Sequence, residues 1–253
     1  MAADSKNKKS GLSRRVLLKN MLGTSALTAA AVALPKTVSA SKTKSRVQYG
    51  MVIDTRRCTG CHACSVACKS EFDVPLGSTR SWVEYVEKGN FPNVQRTFLP
   101  RLCNHCSEPP CVDICPTGAT YKRPEDGIVV VDEDTCIGCK YCIQACPYDA
   151  RFLNPVTGAA DKCDFCLHRL ENGLEPSCVN TCVGRARIFG DINDPGSYVS
   201  QLISENSVTV LRREMGTQPN VFYIAADHSD AHDSKYQYEY IRITTHRKRK
   251  ERR

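Results

Sequence analysis

Sixteen cysteines in a chain of 253 residues constrain this sequence more than any other feature. They fall into four groups of four, and in each group two residues separate the first pair and three separate the last pair. The middle spacer has two residues in groups one and three, four in group two and eleven in group four. One binding unit repeated with loop insertions explains this pattern. The groups are Cys58, Cys61, Cys64 and Cys68; Cys103, Cys106, Cys111 and Cys115; Cys136, Cys139, Cys142 and Cys146; and Cys163, Cys166, Cys178 and Cys182.

The spacing of these cysteines indicates iron–sulfur clusters. Thiolates in sets of four are the ligands that iron–sulfur clusters and zinc prefer. Three cysteines separated by two residues fit a loop around one polynuclear centre, and the fourth lies one helical turn, ~6 Å, further along. In such a run, ending in Cys-Pro, the fourth cysteine binds the other cluster of a two-cluster unit. Pro follows both Cys115 and Cys146. Four complete groups therefore predict four [4Fe–4S] clusters.

Two other classes of function remain as alternatives. Zinc sites in an interaction module set two C-x-x-C pairs about 15–20 residues apart, a pattern that differs from the compact runs of groups one and three. A catalytic iron–sulfur enzyme would need an open iron position, so one of the sixteen cysteines would be dispensable as a ligand. The sequence contains no Ser–His–Asp set and no phosphate-binding glycine loop, and we therefore expect no catalytic residue.

The flanking segments predict the fold around the groups. A β-prone run, an Asp and a turn precede groups one and three, and residues 118–136 read as a β-hairpin with its tip at Pro124–Gly127. This is the plan of a bacterial two-cluster ferredoxin. We therefore expect a loop-rich α+β fold in which one ferredoxin-like unit (residues 100–153) is nested inside a split one (residues 41–99 and 154–226). Strands are expected at Tyr49–Ile53, Ser81–Val86, Ile128–Val131 and Asn220–Ala225, and a helix capped by Asp194, with Pro195 as its first residue, should end near Glu205.

The charge of the chain belongs to its two ends. The net charge is +8, but residues 1–40 carry +6 and residues 246–253 carry +5, which leaves residues 41–245 at −3. A slightly acidic body does not favour nucleic acid as a partner. Residues 227–253 are polar and basic, and we expect them to be a mobile tail.

Residues 1–40 read as an export signal. A basic start and the pair Arg14-Arg15 precede an apolar run of about 14 residues, shorter than the ~18–20 of a membrane span. Small residues end the segment at Ala40. The combination predicts a twin-arginine signal and a periplasmic protein that acquires its cofactors before export. No later segment reads as a transmembrane helix, so contact with a membrane would depend on partners.

Several other residues near the cysteines have ordinary interpretations. The cysteines fill every ligand position, so the histidines of the groups are expected to make hydrogen bonds or face solvent. Nearby cations either raise the cluster potentials or are merely solvated. The aromatic residues are expected to pack rather than to relay electrons. These residues are His62, His105 and His168; Lys140, Lys162 and Arg169; and Trp82 and Tyr141.

The order of the groups, the leader and the run from LPRLCNHC to CIGCKYCIQACPYDARF resemble the iron–sulfur subunit of molybdopterin oxidoreductases. The resemblance covers about residues 46–226 and is greatest, in DKCDFCLHRLENGLEPSCVNTCVGRARIFGDINDP and TQPNVFYIA, to the tetrathionate reductase branch. Polysulfide, dimethyl sulfoxide, arsenate and nitrite reductases and formate dehydrogenases have subunits of the same type. The resemblance implies a non-catalytic electron-transfer subunit that links a membrane quinol-oxidising anchor subunit to a periplasmic molybdopterin catalytic subunit in anaerobic respiration.

The resemblance also implies how the cysteines are shared. Each cluster takes three ligands from one group and the fourth from another. The implied sets are Cys58, Cys61, Cys64 and Cys182 (cluster 1); Cys103, Cys106, Cys111 and Cys146 (cluster 2); Cys136, Cys139, Cys142 and Cys115 (cluster 3); and Cys163, Cys166, Cys178 and Cys68 (cluster 4).

Overall fold

The apolar run before group one forms the central strand of the fold. The computed structural model of the protein describes residues 46–226. In it, β1 (Tyr49–Asp54) is buried along all but its first residue, as its Met, Val and Ile side chains favour. β1 pairs antiparallel with β8 (Arg187–Asp191) and parallel with β10 (Val221–Ile224). A short strand, β9 (Val208–Thr209), completes the sheet in the order β8-β1-β10-β9. The predicted strands before group one and near residue 220 are confirmed.

A long β-hairpin follows group one. β2 (Ser81–Asn90) and β3 (Asn93–Leu102) pair antiparallel along their full length. One end lies in the core, where Leu99 is 2% exposed, and the other end projects, with Phe91 92% exposed. The predicted strand at residues 81–86 is confirmed but is longer. The second strand of the hairpin, β3, was not predicted, and it runs across the unit boundary predicted at residue 99.

Two short hairpins flank group three. β4 (Thr120–Lys122) pairs with β5 (Val129–Val131), and backbone hydrogen bonds of 2.8 Å and 3.0 Å close the predicted tip between Arg123 and Ile128. This hairpin is confirmed. A second one, β6 (Arg151–Leu153) with β7 (Ala160–Lys162), leads into group four.

Short helices complete the described fold, and most of them lie inside the cysteine groups. The mixture of short helices and mainly antiparallel strands agrees with the predicted α+β class, whereas the nesting of two units stays a prediction. The helices are α1 (Ala63–Glu71), α2 (Pro110–Asp113), α3 (Tyr141–Ala145), α4 (Leu167–Leu170), α5 (Ser177–Asn180) and α6 (Tyr198–Glu205).

The start of α6 corrects one expectation. The helix ends at Glu205 as predicted, but its N-cap is Ser197, whose hydroxyl accepts a hydrogen bond from the Ser200 N–H at 3.1 Å. Asp194 instead accepts from the Gly196 N–H at 2.9 Å and forms a turn before the helix. Asp-Pro therefore starts a turn here and not the helix, as both residues often do.

The apolar core and the thiols form one body. The largest buried cluster contains Met51, Ile53 and Tyr223 from the central sheet together with several cysteines, among them Cys64 and Cys163. Whatever these thiols bind therefore contributes directly to the stability of the fold. Among residues 46–226, no helix has the length and apolarity that a membrane span requires. The predicted export signal and basic tail lie outside the described residues.

Candidate iron–sulfur cluster sites

All four C-x-x-C loops share one backbone turn. The residue before the second cysteine has a positive φ in every group: 69° at Gly60, 43° at His105, 67° at Gly138 and 56° at Phe165. Glycine adopts this left-handed conformation readily, whereas other residues do so at a cost of ~1–2 kcal/mol. One loop geometry therefore recurs in all four groups, even where the sequence lacks the glycine.

A short helix holds the third cysteine of each group. The third cysteine lies in α1, α2, α3 or α5, and the fourth follows four residues later in the chain. In group one the helix is long enough to include the fourth cysteine, Cys68. In group three it ends at Ala145, and Cys146 is its C-cap in an extended conformation. The position of the fourth cysteine thus depends on the helix and its C-terminal end, and not on the C-x-x-C loop.

The first and last cysteines of the chain meet at one cavity. Cys58, Cys61 and Cys64 of group one and Cys182 of group four line the same space. Burial raises the pKa of Cys58, and the sulfurs of Cys64 and Cys182 raise it further. The backbone N–H of Ala63 holds the pKa of the exposed Cys61 thiol below its usual value. This grouping matches the first implied ligand set.

A second cavity of similar size lies between groups two and three. Cys103, Cys106 and Cys111 line this space together with Cys146. Burial, with a smaller effect of neighbouring sulfurs, raises the pKa of Cys106 to about 12. Burial also raises the pKa of Cys111 to about 11, although Arg151 opposes the rise. This grouping matches the second implied set.

The fourth set is deeply buried. Burial raises the pKa of Cys68 to about 12, and the sulfurs of Cys178 and Cys166 contribute to the rise. Burial likewise raises the pKa of Cys163, and its next largest influences are Cys68 and Cys178. These influences agree with the fourth implied set, and the binding of one cluster by Cys68 and group four stays a prediction.

The third set is only partly assembled by the described contacts. Cys136 and Cys142 belong to one apolar cluster with Cys111, and Cys139 is exposed. Burial alone would raise the pKa of Cys115, but hydrogen bonds from the Thr120 N–H and the Thr117 side chain help to lower this pKa to about 7. The approach of Cys115 to the other three thiols stays a prediction.

Backbone amides point at several of the sulfurs. Such N–H donors stabilise negative charge on a sulfur and tune the potential of a cluster bound to it. The bonds run from Ala186 N–H to Cys182 at 3.2 Å, and from Thr120 to Cys115, Ala160 to Cys136 and Phe165 to Cys163, each at 3.4 Å.

Two buried arginines lie among the thiols without a carboxylate partner in the described chain. Arg151 is 5% exposed and donates to Cys111 Sγ at 3.1 Å and to Thr120 Oγ1 at 3.2 Å. Arg187 is 2% exposed and lines the first cavity, and within residues 46–226 none of its guanidinium nitrogens makes a well-formed hydrogen bond. An uncompensated buried charge costs several kcal/mol. A negatively charged group between the thiols would compensate both.

The residues present therefore fit iron–sulfur clusters. Soft thiols surround the two cavities, amides donate to sulfurs, and unpaired cations lie beside them. Thiols with raised pKa values need a metal centre to become thiolates, which are the form that binds.

Comparisons with known proteins agree with this chemistry. Residues 94–192 and residues 57–120 each match a family model described as a 4Fe-4S dicluster domain. The B subunit of tetrathionate reductase from Salmonella typhimurium is 53% identical over 186 residues, which cover 72% of this chain and 74% of that protein. This chain belongs to the iron–sulfur subunits of reductase complexes.

Other relatives show the breadth of this iron–sulfur subunit family. The B subunit of selenate reductase from Mesobacillus selenatarsenatis is 44% identical over 216 residues, covering 72% of this chain and 74% of the relative. A protein of Halobacterium salinarum named for the iron–sulfur subunit of dimethyl sulfoxide reductase is 42% identical over 211 residues, covering 72% and 80%. Membership makes the chain an electron-transfer subunit and not a catalytic one, as the sequence predicted.

The histidines of this iron–sulfur subunit have structural partners. His62 Nε2 lies 2.8 Å from the Tyr85 hydroxyl, and His168 Nε2 lies 2.8 Å from a Glu71 carboxylate oxygen. His105 is fully buried, accepts from the Val129 N–H at 3.1 Å and stacks on Phe165 with 3.8 Å between ring centroids. Burial lowers the pKa of His105 well below its usual value, so the ring is neutral.

The cations named from the sequence behave differently from one another. Lys140 is exposed, and the half-buried Arg169 contacts Glu71. Lys162 is 3% exposed, so the solvated interpretation is wrong for it; its ammonium donates to the carbonyls of Val129 and Cys163. The half-buried Trp82 donates to Glu84 at 3.0 Å, and Tyr141 is exposed.

Sequence reasoning missed Arg151 and Arg187. Each stands five residues after a group's last cysteine, in the matching runs CPYDAR and CVGRAR. The available sequence signal was the Ala-Arg pair that recurs after Cys146 and after Cys182. In the structure, both alanines are 1% exposed and both arginines begin a strand.

Proposed function

We propose that this iron–sulfur subunit holds four [4Fe–4S] clusters in the four ligand sets given above and relays electrons within a respiratory reductase complex. The observation that carries the proposal is the exchange of cysteines between groups. Cys182 lines the cavity of group one, and Cys146 lines the cavity of group two. Exchange of the fourth ligand places clusters in neighbouring pairs, as electron transfer between them requires.

The protein's own residues bind, shield and tune these clusters. Bound clusters supply one-electron redox chemistry. The thiols hold them in place, the backbone amides donate to sulfurs, and the apolar core keeps water away from the buried sets. Two of the sixteen thiols are exposed: Cys61 in the first set and Cys139 in the third. They mark surfaces where partner subunits would exchange electrons with the relay.

The partners follow from the family. A membrane quinol-oxidising subunit would supply electrons, and a molybdopterin catalytic subunit would deliver them to the terminal acceptor. Tetrathionate is the proposed acceptor, because identity to the tetrathionate reductase relative is 53%, against 44% to the selenate reductase relative. The twin-arginine signal proposed for residues 1–40 would place the complex in the periplasm, where anaerobic respiration uses it.

Metal and acid-labile sulfide analysis of the anaerobically purified full-length chain tests the cluster assignment. Four clusters predict about sixteen iron atoms with matching sulfide per chain. About four zinc ions without sulfide would instead support the zinc-binding module. Reduction of an oxyanion by the isolated chain would contradict a purely electron-relaying role.

The acceptor is tested on the whole complex purified with its partner subunits. Dithionite-reduced clusters should reoxidise on addition of tetrathionate, followed by EPR. Reoxidation by selenate, polysulfide, dimethyl sulfoxide, arsenate or nitrite, and not by tetrathionate, would assign the complex to that reductase. Reduction of the oxidised clusters by formate would assign it to a formate dehydrogenase.

A further inference from the structure

The described chain contains several buried arginines, and two of them are unlike the rest. The buried Arg101 donates to Glu84 at 2.6 Å, and the half-buried Arg80 pairs with Asp161 at 2.7 Å, so both have carboxylate partners. Arg151 and Arg187 have none among residues 46–226. Arg80 and Arg101 therefore belong to structural ion pairs, whereas Arg151 and Arg187 are buried charges without a carboxylate counterion among the described residues.

Arg151 and Arg187 also occupy equivalent places. Each begins a strand five residues after the last cysteine of its group, follows a fully buried alanine, and lines one of the two thiol cavities. The residue before the alanine is left-handed in both, with φ 54° at Asp149 and 46° at Arg185. Two loops of different sequence thus place an arginine side chain at equivalent positions, one beside each thiol cavity.

Each arginine reaches the thiols of two ligand sets. The charge of Arg187 acts on Cys58 and Cys64 of the first set and on Cys68 and Cys178 of the fourth. The charge of Arg151 acts on Cys103, Cys111 and Cys146 of the second set and on Cys142 of the third. The contacts agree for Arg151, which donates to Cys111 of the second set and to Thr120, whose N–H donates to Cys115 of the third set. Arg187 lines the cavity of the first set.

We propose that Arg151 and Arg187 are matched countercharges, each shared by the two clusters of its own pair, that raise the reduction potentials of those clusters. The proposal rests on the proposed function, because it needs clusters in these sites. Reduction adds an electron to an already negative centre, and a fixed positive charge in a poorly screened interior favours that addition. One arginine between two sites also weakens the repulsion between two reduced neighbours.

The test is an EPR-monitored redox titration of the full-length chain with its clusters bound. Arg187→Gln should lower the potentials of the clusters of groups one and four by at least a tenfold change in reduction equilibrium, about 59 mV for one electron. The clusters of groups two and three should not shift. Arg151→Gln should do the reverse, and the lysine variants of both should restore most of the loss.

Arg185→Gln is the matched control. It removes the same charge two residues away at an exposed position, and the potentials should stay unchanged. Unchanged potentials in both buried variants, an equal shift of all four clusters, or no restoration by lysine would overturn the proposal. Failure of the wild-type chain to show four clusters would instead overturn the proposed function.

If a glutamine variant does not retain its clusters, its iron and sulfide content is compared with that of the lysine variant. Recovery of both in the lysine variant supports a role for the charge. Equal loss in the glutamine and lysine variants shows that the shape of the guanidinium is needed and overturns the countercharge role.

Discussion

Cys146 belongs by sequence to group three but by position to the cavity of group two. Its thiol lines the space shared by Cys103, Cys106 and Cys111. Burial raises its pKa, and Cys103 is the next largest influence. The eleven-residue run that ends at Cys146 therefore contributes a thiol to the cavity of group two, which agrees with the proposed shared-ligand arrangement.

Cys146→Ser should damage the cluster of group two and spare that of group three. A serine hydroxyl is a poor ligand for iron, so the affected cluster should lose iron, up to about four atoms per chain. EPR spectra and iron content of the anaerobically purified variant would show which cluster changes. Cys139→Ser is the control and should damage the cluster of group three. The reverse assignment of the two variants would refute the shared-ligand arrangement.

Tyr148→Phe should destabilise the protein through one lost hydrogen bond. Tyr148 is 2% exposed, and its hydroxyl contacts the buried Thr217 hydroxyl. Its loss should cost about 1 kcal/mol, or ~2–4 °C in Tm for a chain of this size. Anaerobic thermal unfolding measures the change. Tyr121→Phe alters a tyrosine that is 45% exposed and should leave Tm unchanged; equal effects of the two would contradict the buried contact.

At the scale of elements, the loop of group one is shaped by a strand outside the group. Gly60 has φ 69°, and a Cβ there would lie 2.4 Å from the ring of Phe98 on β3. The glycine is thus required both for its backbone conformation and for the close approach of the ring.

Gly60→Ala should therefore lower the free energy of unfolding by more than the backbone strain alone accounts for. Gly118 has nearly the same φ, 70°, with open space around its missing Cβ. Gly118→Ala should cost ~1–2 kcal/mol from the left-handed backbone. Gly60→Ala adds about 1–3 kcal/mol for the clash and should reduce the iron bound by group one. Tm and iron content measure both variants, and equal losses would show that Phe98 moves aside freely.

Local signals predicted those elements that local chemistry determines. The β-prone run of β1, the Pro–Gly tip of the β4–β5 hairpin and the cysteine repeats depend on nearby residues, and the sequence identified them. β3 was missed because Pro100 and its polar neighbours disguise a strand that the pairing with β2 stabilises. The left-handed turns at His105 and Phe165 were missed because neither residue is a glycine, and the stacking of their rings joins loops that are distant in sequence. Tertiary contacts decide such positions.

At the scale of the whole molecule, a ring stack joins the loops of groups two and four. His105 belongs to the loop of group two and Phe165 to that of group four, so their contact at 3.8 Å fixes these loops against each other. Phe165 also packs edge-on against Phe189 of β8, with 5.1 Å between centroids. Aromatic packing thereby connects the loops of groups two and four with β8.

Replacing Arg14 and Arg15 by Lys should block export without affecting the clusters. The proposed signal depends on the arginine pair, and the lysine variant keeps the charge. Cell fractionation should find the wild-type chain in the periplasm and the variant in the cytoplasm, with equal iron per chain. A variant that reaches the periplasm would contradict the twin-arginine route. As a control, Lys8→Arg should leave export unchanged.

The pairing of β1 with β8 and β10 has a consequence for biosynthesis. The ribosome makes β1 and the first three thiols early, but the strands that flank β1 and the thiol of Cys182 come near the end of the described chain. The thiols that line the cavity between groups two and three are all present once Cys146 has emerged. Because translation runs from the N-terminus, the thiols of the cavity between groups two and three are complete before those of the cavity of group one. In the proposed first ligand set, Cys58, Cys61 and Cys64 are therefore synthesised long before their fourth partner, Cys182.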